Sequence, residues 1–113
     1  MSPKIFVDFD NTLTTGNGKP WWKDELDEEP NREMIELVND LYKQKHAIII
    51  YTARREEVRE ETKYFLDKWN VMYHSLKMQK PGFTLLIDDK AVFDEKAVEL
   101  GVQGIEDRIY NNS

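Results

Sequence analysis

The chain has 113 residues, of which 40% are hydrophobic, enough for one domain (1–113) with a modest core. Its 22 acidic and 16 basic residues give a formal charge of −6, which argues against broad, sequence-independent binding to nucleic acid. The absence of cysteine excludes disulfides and thiolate sites. No apolar run approaches the roughly 20 residues of a membrane span, and no signal segment opens the chain, so we expect a cytoplasmic protein without a membrane partner.

The first half of the chain predicts a strand, a loop and a helix. Residues 4–9 form a short segment of mainly apolar, partly β-branched residues, which is typical of a buried strand. Residues 11–30 contain Gly and Pro residues, the pair Trp21-Trp22 and an acidic run, and we expect a loop or small flap there. Apolar residues then recur at helical spacing over residues 31–44.

The second half of the chain continues this alternation. An apolar face from Val58 to Trp69 predicts a second helix, and a third is predicted over residues 94–100, ended by Gly101. Four further segments are predicted to be strands, namely residues 47–51, 71–76, 83–87 and 102–105. Apolar strands alternating with amphipathic helices predict an α/β fold. We expect a three-layer, Rossmann-like arrangement around a mainly parallel sheet of about five strands.

Polar side chains follow the strongest predicted strands. Asp8 and Asp10 end the first strand, Thr52 follows the second, and Asp88 with Asp89 (the acid pair) follows residues 83–87. The carboxyl ends of parallel strands meet at one edge of a sheet, where α/β proteins place their sites. Four carboxylates at that edge would repel one another unless a cation lay among them. Oxygen ligands favour Mg²⁺.

A carboxylate beside Mg²⁺ can attack a phosphate ester. Asp8 would be ionised at neutral pH, and the metal would reduce its repulsion from the phosphate. The product of this attack would be an aspartyl-phosphate. Asp10, two residues on and on the same side of an extended chain, would protonate the leaving oxygen and later deprotonate water. Crowding by other acids favours the protonated form that the first of these roles requires.

These segments together resemble the four motifs of the haloacid dehalogenase (HAD) superfamily of phosphohydrolases. The family's Asp-x-Asp-x-Thr motif is matched by residues 8–12, and its second motif, a strand ending in Ser or Thr, is matched at Thr52. Its lysine is matched best by Lys80, and its paired acids are matched by the acid pair. The motifs occur in the family's order and cover most of the chain.

The resemblance implies a role for each matched residue. Asp8 would be the nucleophile and a Mg²⁺ ligand, and Asp10 would be the acid/base, with its backbone carbonyl also on the metal. Thr52 would hydrogen-bond the phosphoryl group, and Lys80 would bind it and balance charge. The acid pair would complete the metal site.

Further residues near the motifs are substrate-binding candidates. Asn11 stands where the family usually has Gly, and Asn tolerates unusual backbone angles. The guanidinium of Arg54 suits a phosphate or leaving group, although the residue could equally begin a surface helix. Lys77 and Lys90 lie close to Lys80 in the sequence and are alternatives for the motif lysine.

A receiver domain, which accepts phosphate as a signal, is an alternative of another class. Receivers are similar in length and also use clustered acids, Thr, Lys and Mg²⁺. In receivers the acid pair follows the first strand, the phospho-acceptor follows a middle strand, and the lysine comes last. Here Asp8 and Asp10 come first and the adjacent acids follow Lys80, an order that fits the phosphohydrolase.

The spacing of the motifs bears on the substrate. Residues 11–51 and 53–79 leave no room for the cap domain that many family members carry, so we expect an open site. One substrate hypothesis is a phosphorylated small molecule, either a sugar phosphate or a nucleotide, which the acidic charge favours. The other is a polynucleotide 3′ end, because the layout looks like the phosphatase part of polynucleotide kinase/phosphatase enzymes. The arginines at positions 54 and 55 favour the second.

Overall fold

A computed structural model describes residues 3–15, 29–81, 87–88 and 90–111 of the chain. Three strands and three α-helices lie in these ranges, and they are β1 (Lys4–Asp8), α1 (Arg32–Lys43), β2 (Ala47–Tyr51), α2 (Arg59–Lys68), β3 (Ser75–Lys77) and α3 (Asp94–Asn111). The strands form one parallel sheet in the order β1-β2-β3. The predicted α/β fold with a parallel sheet is confirmed, but the described residues form three strands where about five were expected.

One face of the sheet contributes to the core. Val7, Ile48 and Ile50 point to this face and are buried. The core also contains apolar side chains of α1 and α2, namely Met34, Ile35, Leu37, Val38, Leu41, Phe65 and Leu66. Removing this apolar area from water is the main force that stabilises the fold.

The start of α1 follows from a capping residue. The side chain of Asn31 accepts a hydrogen bond from the backbone N–H of Met34, at 3.3 Å, and so satisfies one of the first unpaired donors of the helix. At the other end, Lys45 has a φ of 72°, which a continuing helix cannot accommodate. The helix predicted over residues 31–44 is therefore confirmed to within a residue at each end.

The C-terminal segment corrects a prediction. Gly101 interrupts α3 with a φ of 67°, but the chain resumes a helix and continues to Asn111, where a strand had been expected over residues 102–105. Val102 and Ile105 are three residues apart, so they share a helix face, and both pack against the core. Composition alone does not distinguish a short buried strand from a buried helical turn.

No described helix is long and apolar enough to cross a membrane.

The two middle strand predictions fare differently. The strand predicted over residues 71–76 is shorter and shifted, because the pairing with β2 begins only at Ser75 and continues to Lys77. Residues 83–86 of the other segment lie outside the described residues. Ile87, its last residue, belongs to no strand and is 91% exposed.

Adjacent aromatic residues on α2 provide a test of this packing. Phe65→Ala should lower the free energy of unfolding by about 3–5 kcal/mol, because it empties a fully buried position in the core. Tyr64→Ala is the matched control, since Tyr64 is 55% exposed, and it should cost about 1 kcal/mol or less. Urea denaturation of both variants measures the difference. Equal losses would contradict the packing described here.

Candidate active site

The parallel register brings the ends of the three strands to one edge of the sheet. Asp8, Tyr51 and Lys77 are aligned across β1, β2 and β3. Beyond the strands, the backbone N–H of Thr52 donates to the carbonyl of Lys77 at 3.0 Å, and that of Lys80 donates to the carbonyl of Thr52 at 2.9 Å. The loops after β2 and β3 are therefore bonded to each other at the edge where Asp8 lies.

The chain turns sharply over Phe9–Leu13 as it leaves β1. Asn11 has a φ of 63°, in the left-handed region that Asn adopts more readily than most residues. Its N–H donates to Thr14 Oγ1 at 2.9 Å, and the apolar residues at both ends of the turn are buried. Asn adopts this conformation readily, which explains why it can replace the Gly that is usual at this position in the family that the sequence resembles.

The ends of the predicted flap are joined to each other. Thr14 and Pro30 form an antiparallel bridge, and backbone hydrogen bonds of 2.9 and 2.8 Å flank it. Residues 16–28, including Trp21 and Trp22, lie outside the described residues. The described part of the flap is thus its base, directly after the Phe9–Leu13 turn.

Asp10 is bound by a buried arginine. Arg54 donates from Nε and Nη2 to Asp10 Oδ1 at 3.0 and 2.7 Å, and its guanidinium lies 4.9 Å from the centre of the Phe9 ring. The hydroxyl of Thr52 donates to Asp10 Oδ2 at 3.0 Å. Arg54 is fully buried, and a buried guanidinium is tolerated when a carboxylate pairs its charge in this two-pronged geometry.

These contacts bear on the roles expected for Asp10, Thr52 and Arg54. The guanidinium of Arg54 and the hydroxyl of Thr52 both contact the carboxylate of Asp10, so Asp10 is held in place by two neighbouring side chains. Thr52 is also fully buried. In this conformation the side chains of Thr52 and Arg54 contact Asp10, and the phosphate-binding roles expected of them stay predictions.

Asp8 pairs with Lys80 at the open side of the same edge. Lys80 Nζ lies 3.1 Å from Asp8 Oδ1, and the Asp8 side chain is 38% exposed while that of Lys80 is 12% exposed. Burial raises the pKa of Asp8 above its ordinary value, although the charge and hydrogen bond of Lys80 oppose the shift. Lys77 Nζ lies over the Phe6 ring at 5.9 Å, so the geometry favours Lys80 as the motif lysine.

The acid pair does not complete a metal site among the described residues. Asp88 is exposed, and its Oδ1 accepts a hydrogen bond from the backbone N–H of Lys90 at 2.7 Å. Asp89 lies outside the described residues. Within the described ranges, no three His, Asp or Glu side chains lie together as a group able to hold a metal ion. The half-exposed carboxylate of Asp8 is still a donor of the type that Mg²⁺ accepts, and Mg²⁺ needs only one or two carboxylates.

Two features of the site were missed in the sequence. The first is the pairing of Arg54 with Asp10, and its signal in the sequence is a cation two residues after Thr52, at the edge where the acids lie. Phe6 was assigned only to a strand. Its position two residues before Asp8 places both side chains on one face of β1, a signal that was available from strand alternation.

Comparisons with known proteins identify the fold. No protein-family model matches the chain, and no curated protein matches it. An MCSG target from Vibrio cholerae has a similar crystal structure, with a TM-score of 0.80 and 22% identity over 98% of this chain and 99% of that one. A chain of the Pnkp1/Rnl/Hen1 complex is also similar, with a TM-score of 0.61 and 20% identity. The match covers 96% of this chain but only 42% of that one. At these identities, both likenesses show the fold alone.

The pairing of Asp10 with Arg54 predicts strong energetic coupling. Arg54→Met should lower the free energy of unfolding by about 3–5 kcal/mol, because it leaves a largely buried carboxylate without its partner. A double-mutant cycle with Asp10→Asn should give a coupling of about 1–3 kcal/mol. Glu56 and Arg59 form the matched control pair, equally short at 2.7 Å but at the surface, and their coupling should be much smaller. Equal coupling in the two cycles would refute the assigned burial.

The raised pKa of Asp8 predicts how stability depends on pH. The folded state binds the Asp8 proton more tightly than the unfolded state, so this group favours folding below its ordinary pKa of 3.8. That contribution is lost as the pH rises through the folded pKa. In excess chelator, the stability of the wild type relative to Asp8→Asn should therefore fall between acidic and neutral pH. Denaturation series of both proteins measure it, and the opposite trend would mean that Lys80 outweighs burial.

Proposed function

We propose that the chain is a phosphomonoester hydrolase of the HAD type, with Asp8 as its nucleophile. The observation that carries this proposal is the Asp8–Lys80 pair, in which a half-exposed carboxylate and an ammonium group meet at 3.1 Å. The pair lies at the carboxyl edge of a parallel sheet, where α/β proteins bind their ligands. The ammonium group of Lys80 can offset the charge repulsion between the Asp8 carboxylate and an approaching phosphate dianion.

The reaction would proceed in two displacements at phosphorus. In the first, an oxygen of Asp8 forms a bond to phosphorus while the bond to the leaving oxygen breaks, which gives an aspartyl-phosphate and an alcohol once that oxygen gains a proton. In the second, water attacks phosphorus, the bond to Asp8 breaks, and inorganic phosphate is released. Lys80 would place its charge against the phosphoryl oxygens in both displacements.

Asp10 would act on protons from a fixed position. Thr52 and Arg54 hold its carboxylate in place, and from there it would remove a proton from water in the second displacement. We therefore assign Thr52 and Arg54 as positioning residues for Asp10. In its protonated form Asp10 would supply the proton to the leaving oxygen in the first displacement.

The proposal includes a bound Mg²⁺ ion, because the resemblance of the sequence to the HAD superfamily implies one. Asp8 would hold the ion, with the Asp10 carbonyl, Asp88 and Asp89 as the further ligands. Bound Mg²⁺ would offset negative charge on the transferring phosphoryl group.

Asn11 is an exposed residue of the turn after Asp10, and it would contribute to substrate binding from the same edge.

A small phosphorylated molecule is the substrate class that we propose first. The Asp8 side chain is accessible from solvent, and the chain is acidic overall, which disfavours a long polyanion. A polynucleotide 3′ end is the second candidate, and the likeness to a chain of the Pnkp1/Rnl/Hen1 complex favours it. Of the two arginines that had favoured this candidate, Arg54 is buried against Asp10, so only the exposed Arg55 would contact a strand.

Hydrolysis of a generic aryl phosphate tests the proposal. With Mg²⁺ the wild type should release phosphate over many turnovers, and Asp8→Asn should reduce kcat by about a thousandfold or more, because the nucleophile is removed. Asp67→Asn changes an exposed acid on α2 and should leave the rate unchanged. Phosphate release is the measurement, with excess chelator expected to abolish it.

Two outcomes would contradict the mechanism. Full activity in Asp8→Asn would show that another group attacks phosphorus. Single labelling of Asp8 by a small phosphodonor, without turnover, would instead identify a receiver-like module that stores the phosphoryl group.

A further inference from the structure

The sheet face opposite the core carries an exposed aromatic side chain. Side chains alternate along a strand, so Phe6 points away from the face that contains Val7. The parallel register then sets residues of β2 and β3 beside those of β1 on the same side. We call this surface the open face, and its residues are Lys4, Phe6, Asp8, Ala47, Ile49, Tyr51, Ser75 and Lys77. Phe6 is 51% exposed there, whereas Ile49 is buried.

The open face is continuous with the candidate active site. The Phe6 and Tyr51 rings meet edge to face, with centroids 5.6 Å apart and an interplanar angle of 85°. Lys80 Nζ lies 5.0 Å from the centre of the Tyr51 ring and 3.1 Å from Asp8 Oδ1. The aromatic pair therefore begins directly beside the proposed nucleophile.

The charge of the open face differs from that of the chain. Its charged residues are Asp8, which pairs with Lys80, and the exposed Lys4 and Lys77, although the chain as a whole carries −6. Lys77 Nζ lies 5.9 Å from the centre of the Phe6 ring, a long contact that an incoming ligand can displace at little cost. Aromatic rings combined with lysines are the features that bind stacked bases and the phosphates attached to them.

We propose that the open face binds the base of a nucleotide whose phosphate lies at Asp8, so that the substrate is a nucleoside monophosphate. This inference rests on the proposed phosphatase function. Phe6 and Asp8 lie two residues apart on β1, about 7 Å along the strand. One sugar ring separates phosphate from base in a nucleotide, which suits that spacing. The base stacks on Phe6 against Tyr51, and Lys77 borders it.

Other occupants of the open face fit less well. A sugar phosphate has no flat ring to cover Phe6. A second copy of the chain would bring Lys4 and Lys77 of one protomer close to the same lysines of its partner, and like charges oppose such an interface. A long nucleic-acid strand would meet the net negative charge of the remaining chain.

Binding measured without turnover tests the proposal. In excess chelator, NMR titrations would compare 5′-AMP with ribose 5-phosphate, which differ in the base. The wild type should bind 5′-AMP about tenfold more tightly, and Phe6→Ala should remove most of this preference while leaving ribose 5-phosphate binding unchanged. Tyr64→Ala is the matched control, because it removes a similarly exposed ring from α2, and it should keep the preference. Thermal melts of the two variants establish that both fold.

Several results would overturn the proposal. Equal affinity of the wild type for the two ligands would do so, as would a preference that survives Phe6→Ala or disappears in Tyr64→Ala. A 3′-phosphorylated trinucleotide that binds about tenfold more tightly than 5′-AMP would identify a strand end as the occupant. A dimer in solution that dissociates in Phe6→Ala, with ligand binding unchanged, would identify a second copy.

Failure of this inference can be distinguished from failure of the proposed function. Hydrolysis of sugar phosphates and nucleotides at equal rates, unaffected by Phe6→Ala, would retain the phosphatase and remove the base site. A Phe6-dependent preference for 5′-AMP in a protein that hydrolyses no ester would retain the base site and remove the phosphatase.

Discussion

A fully buried arginine orders the carboxyl edge of this sheet. Arg54 forks onto Asp10, and because an unpaired guanidinium is costly to bury, the turn after β1 and the loop after β2 are held in one relative arrangement. The hydroxyl of Thr52 also donates a hydrogen bond to Asp10. The backbone carbonyl of Thr52 accepts a hydrogen bond from the backbone N–H of Lys80, in the loop after β3. The fork thus helps to set Lys80 against Asp8.

The two motif acids consequently differ in environment. Asp10 faces the interior, where Arg54 and Thr52 occupy its oxygens, while Asp8 is half-exposed and shares one oxygen with Lys80. This division suits a mechanism in which one carboxylate attacks and its neighbour handles protons from a fixed place. It also leaves Asp8 open to the face that carries Phe6, so that a substrate can reach both.

Local elements were predictable because their signals are local. The helical spacing of α1 and the continuous apolar run of β2 led to nearly correct bounds. The strand expected over residues 102–105 was wrong, because Gly101 breaks α3 without ending it. Four carboxylates at one edge predict a metal ion among them only if no other cation lies nearby. Pairing of Asp8 with Lys80 and of Asp10 with Arg54 supplies two nearby cations, and tertiary contacts of this kind leave little trace in the spacing of a sequence.

The central claim is that Asp8 itself accepts the phosphoryl group. The most direct measurement is rapid acid quenching of the protein during turnover of a phosphate-labelled ester, followed by peptide mapping. We expect label on the peptide that contains Asp8, and it should form fast enough to lie on the path to free phosphate. Hydrolysis that proceeds with no label on the protein, or with label on a peptide that lacks Asp8, would contradict it.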